Sequence, residues 1–276
     1  MKTVIITGAS SGFGLLSTLE FAEKGWYVIA TMRNLNKKAV LRNAVEEKGI
    51  VDRVKIVELD ITSKDSINNF KEFVATLDTI DILVNNAGFA AAGFVEEIPI
   101  EEYRQQFETN LFGTISVTQA VLPVMRNQNK GTIINISSIS GRVGFPGLSP
   151  YTSSKHALEG LSESLRLEMK PYGVNVALVE PGSYQTNIWS TGKQITSKSL
   201  DSSSPYFPMV KKLMARLENT DSFGNPSCVA RLIVKIADQK NPRLRYPIGK
   251  GIRFMIILKK VLPWKMWEKI VRKVVS

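Results

Sequence analysis

Residues 3–23 read TVIITGASSGFGLLSTLEFAE, and the architecture of the chain follows from them. Thr3 to Thr7 is a short apolar, β-branched stretch of strand character. A turn holding Gly8, Ser10, Ser11, Gly12, Phe13 and Gly14 follows, and Leu15 to Glu23 carries a helical pattern. Strand, glycine-rich turn and helix in that order aim backbone N–H groups and a helix N-terminus at a diphosphate. Glycine suits such a turn because a Cβ would hold the phosphates away, although glycine turns are also ordinary loop chemistry. Outward from this segment, Tyr27 to Thr31, Val54 to Leu59, Ile82 to Val84, Thr132 to Ile136, Asn175 to Val179 and Leu244 to Ile248 read as further strands, with helical patterns between them. This alternation implies an α/β chain: a mostly parallel, doubly wound sheet with helices on both faces and the ligand beyond the strands' carboxyl ends.

At 276 residues the chain is ample for one large α/β domain and short for two. Hydrophobic content of 43% and charged content of 22% imply an ordinary packed core. The single Cys228 excludes an internal disulfide and suits a reducing cytoplasm; on an apolar helical face it is expected to be buried. Thr3 to Thr7 already reads as a strand, so no signal peptide is expected. No apolar run approaches the roughly 18 residues of a transmembrane helix, and a cytoplasmic protein is expected. The net charge of +11 is uneven: from Arg243 to Ser276 ten Lys or Arg face one acid, Glu268, so this tail holds +9 and the remainder +2. A nearly neutral body argues against a nucleic-acid binder and leaves the tail to be explained separately.

The chemistry is concentrated in residues 135–155, NISSISGRVGFPGLSPYTSSK. A strand delivers Ser138 to its end, a loop follows, and a helix opens at Ser149-Pro150, where Ser can cap and Pro is pre-set for the first turn. Tyr151 and Lys155 stand four residues apart on one helix face, with roughly 5 to 6 Å between their Cβ atoms. An ammonium beside a phenol favours the phenolate, which makes the tyrosine a usable acid or base. The second strand ends at Met32-Arg33, where an acid would bind the ribose 2'-OH of NAD and an Arg can pair with the 2'-phosphate of NADP; Arg33 is otherwise a solvated surface charge. His156, the single histidine, lies about 100° from Lys155 around the helix and reads as a surface or interface residue.

Ser138 with Tyr151-x-x-x-Lys155 resembles the active site of the short-chain dehydrogenase/reductase family. So do Thr7-Gly8-x-x-x-Gly12-x-Gly14 and Asn85-Asn86-Ala87-Gly88, and these motifs fall in the family's order over residues 3 to 250. The resemblance, closest to hydroxysteroid and retinol dehydrogenase-like members of bacterial type, implies a Rossmann-like sheet of seven parallel strands in the order 3-2-1-4-5-6-7. It implies catalytic roles for Ser138, Tyr151 and Lys155, with Lys155 also on the nicotinamide ribose. Asn110 matches the family's Asn that kinks a helix, here within the segment Ile100 to Arg126, and holds a water on the proton route; a solvent-facing Asn is the alternative. The cofactor would meet Gly8, Ser10, Ser11, Gly12, Phe13 and Gly14, then Asp60 and Ile61 at the adenine, and Asn86, Ala87 and Gly88. Pro181, Gly182 and Thr186 would meet its nicotinamide end. Asp60 read by itself is equally a turn residue or helix cap. Met32 stands where NAD-preferring members carry Asp, so NADP(H) is favoured over NAD(H). No metal is expected.

The expected activity is hydride transfer between NADP(H) and a carbonyl or secondary alcohol of a lipophilic small molecule. A cofactor-binding regulatory or scaffold protein without turnover and a 3-oxoacyl-carrier-protein-type reductase are the alternatives. Residues 1–250 form the expected catalytic domain, with a substrate lid at about 187–225, including Trp189, Tyr206, Phe207 and Met209, and a short helix from Met209 to Leu217. In residues 251–276, Met266, Trp267, Ile270, Val271, Val274 and Val275 recur at helical spacing opposite Lys265, Glu268, Lys269, Arg272 and Lys273. This is a basic amphipathic helix of the kind that lies on anionic membranes, or one that packs over the pocket or a neighbouring subunit. A homodimer or homotetramer is expected from the family alone.

Overall fold

The computed structural model describes residues 1–186, 188, 193–218 and 223–275; Trp189 and the side chains of residues 193, 216–218 and 273–275 lie outside the described residues. Strands β1 (Thr3–Ile6), β2 (Tyr27–Met32), β3 (Val54–Glu58), β4 (Ile82–Asn85), β6 (Gly131–Ile136), β7 (Val174–Pro181) and β9 (Arg245–Ile248) form one sheet. Its order is β3-β2-β1-β4-β6-β7-β9, with every pair parallel. Counted among themselves these strands run 3-2-1-4-5-6-7, as expected. Two short strands, β5 (Ala90–Ala92) and β8 (Lys193–Ile195), make a separate parallel pair that the sequence did not announce.

Alternation along each strand divides the core in two. Val4, Ile6, Val28, Ala30 and Ile134 face helices α1 (Gly12–Glu23), α2 (Lys38–Glu47) and α8 (Ser227–Ala237). Ile5, Ile29, Leu83, Ile133 and Val176 face α3 (Lys64–Ala75), α5 (Thr114–Asn127) and α6 (Ser149–Met169). Strands buried on both faces are dominated by apolar side chains, which is why β4 carries Ile82, Leu83 and Val84 and β6 carries Ile133, Ile134 and Ile136, with Asn85, Thr132 and Asn135 as buried polar exceptions.

The long helical segment after Ile100 is interrupted. It runs as α4 (Ile100–Phe107), a π-helical turn over Glu108–Gly113, and α5. Asn110 is buried in this turn, and its side chain engages the backbone of Phe89: Oδ1 accepts from the N–H at 3.2 Å and Nδ2 donates to the carbonyl at 3.1 Å. Gly113 lets Ile61 approach, since a Cβ there would sit 2.8 Å from the Ile61 side chain. The solvent-facing alternative for Asn110 is thereby excluded.

Two local expectations are corrected. Ser149 does not cap α6: the N-cap is Leu148, without a side-chain bond, and the Ser149 hydroxyl pairs with Tyr103 at 2.6 Å. Cys228 is exposed rather than buried, because its neighbours Val229 and Ala230 take the inward face of α8. The chain continues through α7 (Phe207–Glu218) and ends in α9 (Ile252–Val261) and α10 (Trp264–Val275).

Candidate active site

The residues at the carboxyl ends of β1, β4, β6 and β7 converge on one edge of the sheet. At β1, helix α1 begins at Gly12 with Ser11 extended (φ −165°) as its N-cap and no side chain bonded to the cap position. Gly8 and Gly12 have φ of 69° and 54°, a region that L side chains rarely adopt. Gly14 cannot carry a side chain: a Cβ would lie 2.3 Å from the Gly8 carbonyl oxygen and 2.6 Å from Asn86 Nδ2. Among the described residues a Cβ on Gly12 would meet only Thr186, at 3.5 Å, so Thr186 borders the turn. The partly exposed turn, with its helix N-terminus lacking a side-chain cap, fits a diphosphate. Phe13 contributes its backbone there, while its ring packs edge-on against Tyr184 at 5.7 Å.

Asn86 braces this cradle. Its Nδ2 donates to the Thr7 and Gly8 carbonyls at 2.8 and 3.1 Å, and the Asn86 and Ala87 N–H groups donate to Thr7 Oγ1 at 2.9 and 3.0 Å. Asn85 ties β4 to its neighbours through Thr118 at 3.0 Å and Asn135 at 2.9 Å. Gly88 lies over Asn110, where a Cβ would stand 3.0 Å from Oδ1. Asp60 forms a local turn, its Oδ1 accepting from the Thr62 N–H at 3.0 Å and hydroxyl at 2.7 Å, and Ser63 rather than Asp60 caps α3. The Ile61 side chain is in the core, so a ligand would meet the backbone there. Arg33 is exposed immediately past β2, beside the buried Met32. Pro181 is buried at the end of β7, and Gly182 donates to the Ile248 carbonyl at 2.9 Å.

Ser138, Tyr151 and Lys155 come together as buried side chains. Ser138 opens a 3₁₀ turn, its Oγ accepting from the Ser140 N–H at 3.1 Å, and its hydroxyl hydrogen-bonds the Tyr151 phenol. Lys155 Nζ lies 5.7 Å from the Tyr151 ring centroid and donates to the Ile136 carbonyl at 2.7 Å. Asn110 reaches this helix through Ser154, 3.3 Å from its Nδ2. The electrostatics differ from the expectation of an acidified phenol. Burial pushes Tyr151 up to about 12, against the opposing Ser138 bond, and pushes Lys155 down to about 8, against the pull of Glu159. Desolvation outweighs the Ser138 hydrogen bond at Tyr151 and the Glu159 charge at Lys155 because both side chains are buried. His156 is exposed, with Nδ1 2.9 Å from the Thr152 carbonyl, off the helix face that carries Tyr151 and Lys155.

A supporting ionic network was missed by the sequence reading. Glu180, fully buried near the end of β7, pairs with Arg142 of the active-site loop at 3.0 Å and with Arg245 of β9 at 3.3 Å. Arg245 also meets Glu159, one turn beyond Lys155, at 2.9 Å, and Glu163. A lone acid in the apolar run VALVEP was the available signal, since a buried carboxylate requires a partner. The segment expected as a lid is likewise anchored where it is described: Ser199 and Ser204 donate to the Glu97 carboxylate at 2.6 Å each, and Tyr206 stacks on Phe94 at 4.5 Å.

Comparison with known proteins agrees with this geometry. A family model described as short chain dehydrogenase matches residues 2–195. An uncharacterized oxidoreductase, YusZ of Bacillus subtilis, is 47% identical over 99% of this chain and 98% of its own. The 3-ketodihydrosphingosine reductase of Bacteroides thetaiotaomicron is 32% identical over 98% and 97%. A solved short-chain dehydrogenase from Streptomyces avermitilis superposes with a TM-score of 0.82 at 32% identity, covering 99% of both chains. Solved neighbours include complexes with NAD and with NADP. The chain therefore belongs to the short-chain dehydrogenase family and is an oxidoreductase acting on a CH–OH group with a nicotinamide cofactor.

Proposed function

We propose that this enzyme uses NADP(H) and transfers hydride to the carbonyl of a lipophilic small molecule, or from the corresponding secondary alcohol. The observation that carries the reading is the buried Ser138–Tyr151 hydrogen bond with Lys155 beside the ring, at the sheet edge that also holds the glycine cradle. The nicotinamide supplies or accepts the hydride when bound. Tyr151 stays protonated at neutral pH, since burial holds its phenol up to about 12. As hydride reaches the carbonyl carbon, charge grows on the oxygen, and Tyr151 passes its proton there; in oxidation the phenolate takes it back. Ser138 donates to the same oxygen and orients it. Lys155 would hold the ribose hydroxyls and stabilise the transient phenolate, and Asn110 would complete the proton route behind it.

Arg33, exposed just after β2 with no acid at Met32, supports NADP(H). A lipophilic substrate is supported by the half-buried Phe145 and Leu148 of the active-site loop and by the stacked Phe94 and Tyr206, carried alongside that loop by the Gly93 N–H bond to the Gly147 carbonyl. The relative named for a keto lipid base is consistent with this class. The assay is oxidation of NADPH and NADH over a panel of long-chain ketones, aldehydes, steroids and retinoids. NADPH should be preferred, and Arg33→Ala should erase the preference without abolishing turnover. Equal use of both cofactors by the unmodified enzyme overturns the NADP assignment. NADPH binding without turnover on any carbonyl favours a non-catalytic cofactor-binding protein.

A further inference from the structure

The structure shows what the basic tail packs against and what it leaves open. Trp267 is 4% exposed and packs with Ile139, Val143 and Ile252, and Val271 lies against the same cluster. Lys259 of α9 donates to the Arg142 carbonyl in the active-site loop. Ile252 covers Gly182, where a Cβ would collide with it at 2.6 Å. One side of α9 and α10 is therefore fixed to the active-site loop.

The opposite side of α9 is apolar and exposed. Phe254 is 69% exposed, Ile257 61% and Val261 73%. At about 100° per residue, Lys260, Arg253, Ile257, Val261 and Phe254 succeed one another across one arc of about 120°. Arg253 and Lys260 are exposed, so the apolar stripe has a cationic border along one side. On α10 the exposed Trp264 and Met266 lie about 160° apart around the helix and flank its charged side rather than continue the stripe. Lys265, Lys269 and Arg272 are exposed on α10, with Glu268 the only acid from residue 243 onward.

We propose that this outer face of α9 and α10 seats on the surface of an anionic lipid bilayer. Apolar side chains would enter the acyl boundary while Arg and Lys stems extend their charges to the headgroups. Among the described residues, no helix is long and apolar enough to cross a membrane, so the contact is at the surface. Charge selects this occupant over a second copy of the chain. A two-fold contact through this face would bring two tails of +9 together, whereas an anionic surface neutralises them.

The test is co-sedimentation of the full chain with vesicles of phosphatidylcholine alone and of phosphatidylcholine mixed with phosphatidylglycerol. Binding should be strong to the mixed vesicles, weak to the neutral ones, and weakened by salt. Ile257→Glu with Val261→Glu should lower partitioning by about tenfold or more. Arg253→Gln with Lys260→Gln should weaken binding to mixed vesicles alone. Both pairs are exposed, and unchanged NADPH oxidation on a water-soluble carbonyl would show that the fold is kept. Equal sedimentation with both vesicles, or with none, overturns the proposal. So does a dimer that Ile257→Glu with Val261→Glu converts to monomer in the absence of lipid binding, and so does capture of an acidic carrier protein in place of vesicles.

Discussion

At the scale of single residues, Tyr151 and Lys155 carry opposite consequences of one environment. Tyr151→Phe removes the proton donor and leaves the ring, so turnover should fall by about 10²- to 10⁴-fold while cofactor affinity stays within a few-fold. Single-turnover kinetics beside a fluorescence titration of NADPH would separate the two, and retained turnover would remove Tyr151 from its role. The folded Lys155 titrates at about 8 against an ordinary 10.5. Below pH 8 its buried charge is destabilising in full, by about 3 kcal/mol, and the load is relieved as pH rises toward 10.5. Tyr151, at about 12 against an ordinary 10.0, acts in the other direction and costs stability only above pH 10. Urea midpoints of the cofactor-free protein should therefore rise from pH 8 to pH 10. Lys155→Met should flatten that rise and increase stability at pH 7 while abolishing activity. A flat profile in the unmodified protein would contradict the assignment.

At the scale of elements, the β1–α1 turn works because its glycines let a strand, a helix and Asn86 touch. Gly14→Ala places a methyl group against the Gly8 carbonyl and the Asn86 amide, both at less than a normal contact distance. The turn must open, which should cost about 1 to 3 kcal/mol of stability and weaken NADPH binding by about tenfold or more. Isothermal titration of the variant provides the measurement, and unchanged affinity would mean that the turn does not shape the cofactor site. These motifs were legible because glycine spacing and strand ends are local properties. The break at Glu108–Gly113 was legible only in part: Asn110 is a poor helix former, but its bonds to Phe89 cross 21 residues of sequence. The capping expectation at Ser149 failed for a similar reason, since Tyr103 takes that hydroxyl from another helix.

At the scale of the molecule, the ionic network around Glu180 joins α6, β7, β9 and the active-site loop. Arg245 is its hub, touching Glu159, Glu163 and Glu180. Arg245→Met leaves the buried Glu180 with Arg142 and Glu159 with no partner from this hub. Breaking a buried pair from one side costs about 3 to 5 kcal/mol. The variant should show that loss in urea unfolding at pH 7, and the loss should shrink as pH falls and the Glu180 carboxyl, already raised by burial, becomes neutral. An equal loss at every pH would point to packing rather than charge. The C-terminal helices belong to this scale as well, because amphipathicity separated the apolar from the charged side chains of residues 265–275 without saying that Trp267 and Val271 would pack inward while Met266 and Ile270 stay exposed.

Periodicity along the chain was enough for an alternating α/β pattern with a mostly parallel sheet, and the motifs at its strand ends carried the family resemblance that implied the strand order, the nicotinamide cofactor and the meeting of Ser138, Tyr151 and Lys155. Only the tertiary structure decided that burial dominates the titration of Tyr151 and Lys155, that Arg245 and Glu180 brace the site, and that Trp267 turns inward while Phe254 and Val261 face out. Those outcomes depend on which distant segments exclude water from a side chain, and exclusion of water is a property of packed neighbours that no single stretch of chain contains.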